Sequence, residues 1–177
     1  SEGPGRSPLP GLEAALRAGR LQGRPIVSSV SPSGKGEVFR VPLLLDTGPL
    51  YALADKKEPD HKKIRKFFER EKELMLVPWA ILPELAYLLK ERLGDKAELT
   101  FLHSLNQKEL IVEEFQEADL KRAEEILSDY PDFGFVDSVT MAMAERLKID
   151  RIVTFDRRDF QRFRPKHCDA FVLLPET

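Results

Sequence analysis

Residues 43–53 read LLLDTGPLYAL, and the reading of this stretch decides the fold. Three leucines in a row show no alternation of apolar and polar positions, so they suit a short strand covered on both faces. Asp46 ends the run. Asp and Thr open helices because their side-chain oxygens accept from the free N–H groups of a first turn. Asp46-Thr47 therefore starts a helix that runs to about Ala54. A buried strand that passes through an acid directly into a helix is the opening of a strand–helix–strand unit.

The rest of the chain continues that pattern. EPDHKKIRKFFEREK has Pro59 as a helix starter and Ile64, Phe67 and Phe68 at helical spacing. LMLVP is a second strand, and WAILPELAYLLKERLG is a helix ending at Gly94. DKAELTFLHSLNQ is a further helix, with Asp95 as its expected cap and Glu98 completing a capping box. ELIVEEF is a third strand, followed by the amphipathic EADLKRAEEILSDY, which Pro131 stops, and by the helix VDSVTMAMAERLK. RIVTFD and AFVLLP supply the fourth and fifth strands. Apolar strands alternating with helices predict an α/β fold: a parallel sheet with helices on both faces. Aspartic proteases also carry Asp-Thr-Gly, but they are nearly all β, and this succession of helices argues against them.

Composition narrows the class. The 177 residues suffice for one domain plus an extension, and 42% are apolar. Residues 1–40 hold seven of the ten glycines and five of the thirteen prolines, with six Lys/Arg against three acids. They read as a flexible N-terminal extension in which LEAALRAG could form a short helix, and residues 41–177 read as the domain. The domain carries 22 basic against 27 acidic residues, so no global basic field advertises nucleic acid. Cys168 is alone, which excludes an internal disulfide and a cysteine metal cluster and fits a reducing cytoplasm. No apolar run reaches the roughly 18 residues of a membrane span, so no membrane association is expected.

In an open parallel sheet, ligands bind beyond the carboxyl ends of the strands. Asp46 and Asp156 end the first and fourth strands, and they should face one crevice if those strands are neighbours. Glu84 sits among Ala80, Ile81, Tyr87 and Leu88, where an ionised carboxylate on a buried face is costly unless paired or metal-bound. Asp137 lies near a helix start. Each has a structural alternative: Glu84 as a first-turn acid behind Pro83, Asp137 as an N-cap. Four carboxylates crowded together without counter-charge would raise one another's pKa values. No Lys or Arg lies inside these segments, although Arg157 and Arg158 follow Asp156. A divalent cation is the economical counter-charge, and oxygen donors suit Mg²⁺ or Mn²⁺. Zn²⁺ fits poorly, because the three histidines are scattered.

The segments LLLDTGPLYAL, ILPELAYLL, VDSVTMAMAERL and IVTFDRRDF, in that order, resemble the four acidic motifs of the PIN-domain family, specifically its VapC-type toxins. The resemblance covers about residues 42–175. It implies a three-layer α/β/α fold around a five-stranded parallel sheet, and metal-dependent hydrolysis of single-stranded RNA leaving 5′-phosphate and 3′-hydroxyl ends. By motif position it implies that Asp46, Glu84, Asp137 and Asp156 are the catalytic metal ligands, with Thr47 and Thr154 as supporting hydroxyls. It further implies a homodimer, and a cognate antitoxin whose tail blocks the crevice.

Other features bear on the same reading. Asp159 is either an outer acid of the site or a capping residue. DRRDFQRFRPKH interleaves Arg157, Arg158, Arg162, Arg164, Lys166 and His167 with Phe160 and Phe163, which could track RNA. Its alternative is a solvated loop whose Phe side chains pack on the core. The basic face of HKKIRKFFEREK reads as solvated, His61 and His103 lie away from the acidic motifs, and Trp79 reads as core or dimer interface. Receiver domains want a second acid after strand one and a lysine after the last strand, and dehalogenase-like phosphatases want Asp-x-Asp where this chain has Gly48. Glycine-rich dinucleotide and phosphate loops are missing from the sequence. Two alternatives stay open within the fold: a non-toxin RNA-processing nuclease, and a catalytically silent PIN-fold RNA-binding or scaffold protein.

Overall fold

A computed structural model of the chain describes residues 42–71, 73–107 and 110–176. The expected extension over 1–40, with its short helix, lies outside the described residues.

The elements follow in the order β1 (Leu43–Leu45), α1 (Thr47–Ala54), α2 (His61–Arg70), β2 (Met75–Pro78), a 3-10 turn (Trp79–Ile81), α3 (Leu82–Leu93), α4 (Asp95–Asn106), β3 (Ile111–Glu113), α5 (Glu117–Asp129), α6 (Phe135–Leu147), β4 (Arg151–Val153), α7 (Arg157–Arg162) and β5 (Val172–Leu174). The five strands form one sheet in the order β3-β2-β1-β4-β5. Every pairing is parallel. β1 is central: Leu44 pairs with Leu76 on one side and with Ile152 on the other. From β1 the chain winds outward through β2 to β3, then returns to the opposite side for β4 and β5. The strand order therefore reverses between β1 and β4, the point where an open α/β sheet forms a crevice.

Side chains in a strand point alternately to opposite faces, and this divides the leucine run between two cores. Leu43 and Leu45 join Leu53, Ile64, Val77, Leu85 and Phe101 beneath α1–α4. Leu44 joins Leu76, Ile126, Met141, Ile152, Phe160 and Phe163 beneath α5–α7. Both faces of the sheet are covered, so the expected three-layer α/β/α architecture is borne out. Charged groups brace the second layer. Arg122 of α5 binds Glu145 of α6 at 2.7 Å, and Arg146 of α6 binds buried Asp119 of α5 at 2.9 Å. Among the described residues no helix is long and apolar enough to cross a membrane.

Local departures from the sequence expectation have clear causes. Asp95 does not cap α4; it lies inside the helix, and Gly94, at φ 89°, joins α3 to α4. Glu98 reaches back to Lys90 at 3.1 Å, so the expected capping box is replaced by an ion pair. A capping box does form at Gln116 and Asp119, where Gln116 N donates to Asp119 Oδ2 at 2.7 Å. Pro59 precedes α2 rather than starting it; the helix begins at His61. Of the segment read as a possible loop after Asp156, Arg157–Arg162 folds as α7, and residues 163–167 run on as irregular chain and turn. Trp79 is not core: it is 45% exposed, while Ala80 and Ile81 carry the burial.

Candidate metal centre

The carboxyl edge of the sheet gathers the four acids. Asp46 follows β1 and caps α1, with Oδ1 accepting from Thr47 N at 2.7 Å. Its backbone N donates to Val153 O at 3.0 Å, which ties it to the end of β4. Oδ2 accepts from Thr154 Oγ1 at 2.7 Å, and Thr154 Oγ1 in turn accepts from Asp156 N at 2.9 Å. One buried threonine thus links the acids of the two adjacent strands. On the other side, Thr47 Oγ1 donates to Glu84 Oε2 at 2.8 Å. Two threonine hydroxyls therefore fix the carboxylates of Asp46 and Glu84, and a backbone N–H fixes the turn that carries Asp156.

Glu84 was expected on a buried face, and the structure corrects this. Glu84 is exposed in the first turn of α3, behind Pro83. Helix α3 buries Leu82, Leu85 and Leu89 and leaves the Glu84 side open toward the crevice. Asp137 is not a cap either; Gly134 takes that position and Asp137 lies in the first turn of α6. Among the described residues no donor hydrogen-bonds its carboxylate. A Cβ added at Gly134 would come within 3.3 Å of Asp137 Oδ2, so glycine keeps the carboxylate clear.

All four acids line one cleft of about 480 Å³. Carboxylate oxygens of Asp137, Asp156 and Asp159 lie within 4.8 Å of one another. Burial, reinforced by the charges of Asp46, Asp156, Asp159 and Glu84, pushes Asp137 up to about 7. Burial also raises Asp46, opposed by its bonds from Thr154 and Thr47, while Glu84 and Asp156 push it further up. The residues lining the cleft include no Lys, Arg or His. The arrangement therefore collects oxygen donors, two of them aimed by hydroxyls, in a cleft whose lining carries no counter-charge. Such a donor set fits a hard divalent cation.

Asp159 differs from the four. It is buried, and Arg158 grips both its oxygens at 2.8 and 3.2 Å, so its charge is compensated from outside the cleft. The other arginines are also engaged. Arg157 donates to the carbonyl of Pro175, and Arg162 binds Asp132 while lying 5.3 Å over the Phe133 ring. Phe160 and Phe163 are buried in the second core, as the alternative reading of this segment expected. The sequence reading missed the apolar wall of the cleft: Tyr51, Leu88, Phe135, Val136 and Phe155. Phe135 stands two residues before a candidate acid, but nothing in its spacing distinguishes it from a core aromatic.

Comparison with known proteins places these features. The PIN domain model matches residues 43–165. Ribonuclease VapC26 of Mycobacterium tuberculosis is 30% identical over 135 residues, which is 75% of this chain and all of that protein. Two solved structures share the fold. The Mycobacterium tuberculosis toxin VapC20, described as cleaving the sarcin-ricin loop, superposes with a TM-score of 0.61 at 20% identity, over 66% of this chain and 91% of that one. A DNA-bound VapBC from Salmonella typhimurium gives 0.56 at 20% identity, over 76% of this chain and 97% of that one.

Proposed function

This chain belongs to the PIN-domain family and, within it, to the VapC ribonucleases, and from that premise we propose that it is a divalent-metal-dependent endoribonuclease of single-stranded RNA, acting as the toxin of a toxin–antitoxin pair. The observation that carries the proposal is the uncompensated cleft at the β1–β4 switch point, lined by Asp46, Glu84, Asp137 and Asp156.

Asp46, Glu84, Asp137 and Asp156 would hold Mg²⁺ or Mn²⁺. When bound, the cation supplies an activated water and offsets the charge that develops on the scissile phosphate. The protein's own contribution is orientation. Thr154 and Thr47 donate to the carboxylates of Asp46 and Glu84 without adding positive charge, so both oxygens are aimed while the cleft stays anionic. Asp137 is held near 7 while the cleft is empty, so a cation would displace a proton from this carboxyl as it binds. Asp159 stands outside this set as a support, because Arg158 already satisfies it. The Arg158 side chain is 73% exposed, which makes it the best placed of the three candidate arginines to meet an RNA phosphate. Arg162 is half-exposed beside it, and Arg157 anchors the C-terminal strand instead.

The same reading brings a cognate antitoxin that closes the cleft and a homodimer. The exposed Tyr87, Leu99 and Leu102 on the α3–α4 hairpin offer apolar surface for such contacts. The lone free thiol of Cys168 is compatible with a cytoplasmic setting.

The test is cleavage of labelled single-stranded RNA by the purified chain with Mg²⁺ or Mn²⁺, against a chelator control and Asp46→Asn. Cleavage that both controls abolish is the expected result. Full activity in Asp46→Asn, or cleavage indifferent to chelator, would overturn the assignment.

A further inference from the structure

We propose that Phe135 is the platform on which the base beside the scissile phosphate stacks, so that this cleft grips an unstacked base by its ring face. The inference rests on the nuclease reading above.

Phe135 is the first residue of α6, two positions before Asp137, and it lines the acidic cleft. It is 57% exposed, whereas the nearby apolar residues Phe133 and Val136 are drawn into the two cores. Phe133 is buried and stacks on Tyr130 with ring centroids 4.6 Å apart, and Val136 packs against the first core. Among the described residues no other ring stacks on Phe135. Gly134 fixes the helix start in extended geometry, φ −82° and ψ 161°, and leaves space for the Asp137 carboxylate. The backbone thus presents an unpaired aromatic ring and a candidate metal ligand at the same mouth.

The side chains of the lining offer little to read a base edge, the usual alternative. The lining contains no Asn, Gln, Ser, His, Lys or Arg. Its two neutral hydroxyls are already committed: Tyr51 donates to Asp55 at 2.9 Å and Thr47 donates to Glu84 at 2.8 Å. The carboxylates are reserved for the cation. What remains to grip a nucleobase is apolar surface and a ring. Single-stranded RNA offers bases splayed out of their stack, and aromatic side chains take them with little regard to identity.

The test compares wild type, Phe135→Ala, Phe135→Leu and Phe135→Trp on a short single-stranded RNA and on the same RNA carrying an abasic nucleotide beside the cleaved bond. On intact RNA, Ala and Leu should both lose about tenfold in kcat/KM, the scale of base–aromatic stacking, and Trp should restore it. On the abasic RNA the four proteins should cleave alike, at the rate of Phe135→Ala on intact RNA. Thermal unfolding and metal titration should be unchanged throughout. Wild-type activity in Phe135→Ala on intact RNA would overturn the proposal. So would a Leu variant that matches wild type, since apolar area alone would then suffice. So would a loss that persists undiminished on the abasic RNA. Failure of wild type to cleave any RNA with metal present would instead bring down the nuclease reading, and this inference with it.

Discussion

Replacing Asp137 with Asn should abolish activity and, in the metal-free protein at pH 8, raise stability. In the fold, burial and four neighbouring carboxylates push Asp137 from 3.8 up to about 7. In the unfolded chain it ionises near its ordinary value. Between those two values the native carboxyl holds a proton that the unfolded chain has released, so stability falls as pH rises through the window. Above about pH 7 the whole cost is present; below about pH 4 none of it is. Three pKa units correspond to about 4 kcal/mol. Asp137 is only half-buried, so solvent screening reduces this to about 1–2 kcal/mol. For a domain of this size that is roughly 4–8 °C in Tm. The assay is thermal unfolding of both proteins in chelator at pH 5 and pH 8. The advantage of Asp137→Asn should be small at pH 5 and grow by pH 8. Added Mg²⁺ should raise the Tm of wild type well above that of the variant, because binding to the native state stabilises it by mass action. A variant that is no more stable than wild type at pH 8, or equally displaced at both pH values, would refute the reasoning.

Two other substitutions probe the supports. Thr154→Val keeps the volume but removes the hydroxyl that donates to Asp46 and accepts from Asp156 N. Activity should fall about 10–100-fold, the scale seen when groups that orient metal ligands are lost, and metal titration should weaken in parallel; unchanged kcat/KM would remove Thr154 from the site. Arg146→Ala leaves the buried Asp119 without its cation and should cost about 3–5 kcal/mol in urea unfolding, with activity retained at low temperature. A loss below about 1 kcal/mol would mean that the α5–α6 brace contributes little.

The fold was legible because its strands are short, fully buried and separated by strong helices. LLL and MLVP admit few other roles between helical segments, and the acid after β1 marks where the first helix begins. Four acids at element ends were legible as a set for the same reason, since a parallel sheet sends every strand's carboxyl end to one edge. Side-chain direction was not legible. Glu84 looked buried because its neighbours in sequence are apolar, yet the 3-10 turn over Trp79–Ile81 sets the phase of α3 and turns Glu84 outward. Nor did sequence show that the basic segment after Asp156 is a helix whose arginines serve Asp159, Asp132 and Pro175. Asp132, the partner of Arg162, lies 30 residues back in the turn before α6, and Pro175 reaches Arg157 because β5 docks beside β4.

The contrast between hydroxyl and guanidinium partners explains why five nearby carboxylates do not play the same part. A threonine hydroxyl orients a carboxylate and leaves its charge in place; an arginine orients it and cancels the charge. Asp46 and Glu84 are held by Thr154 and Thr47, and Asp137 by nothing but the backbone that carries it. Asp159 alone is held by Arg158. The charge left uncancelled is therefore concentrated on the cleft side of the cluster, where burial and mutual repulsion raise Asp46 and Asp137. An arginine in place of either threonine would satisfy the same acceptors and remove the attraction for a cation. The choice of neutral donors thus keeps the cleft under electrostatic strain, and under the proposed function that strain is free energy a divalent ion would recover on binding.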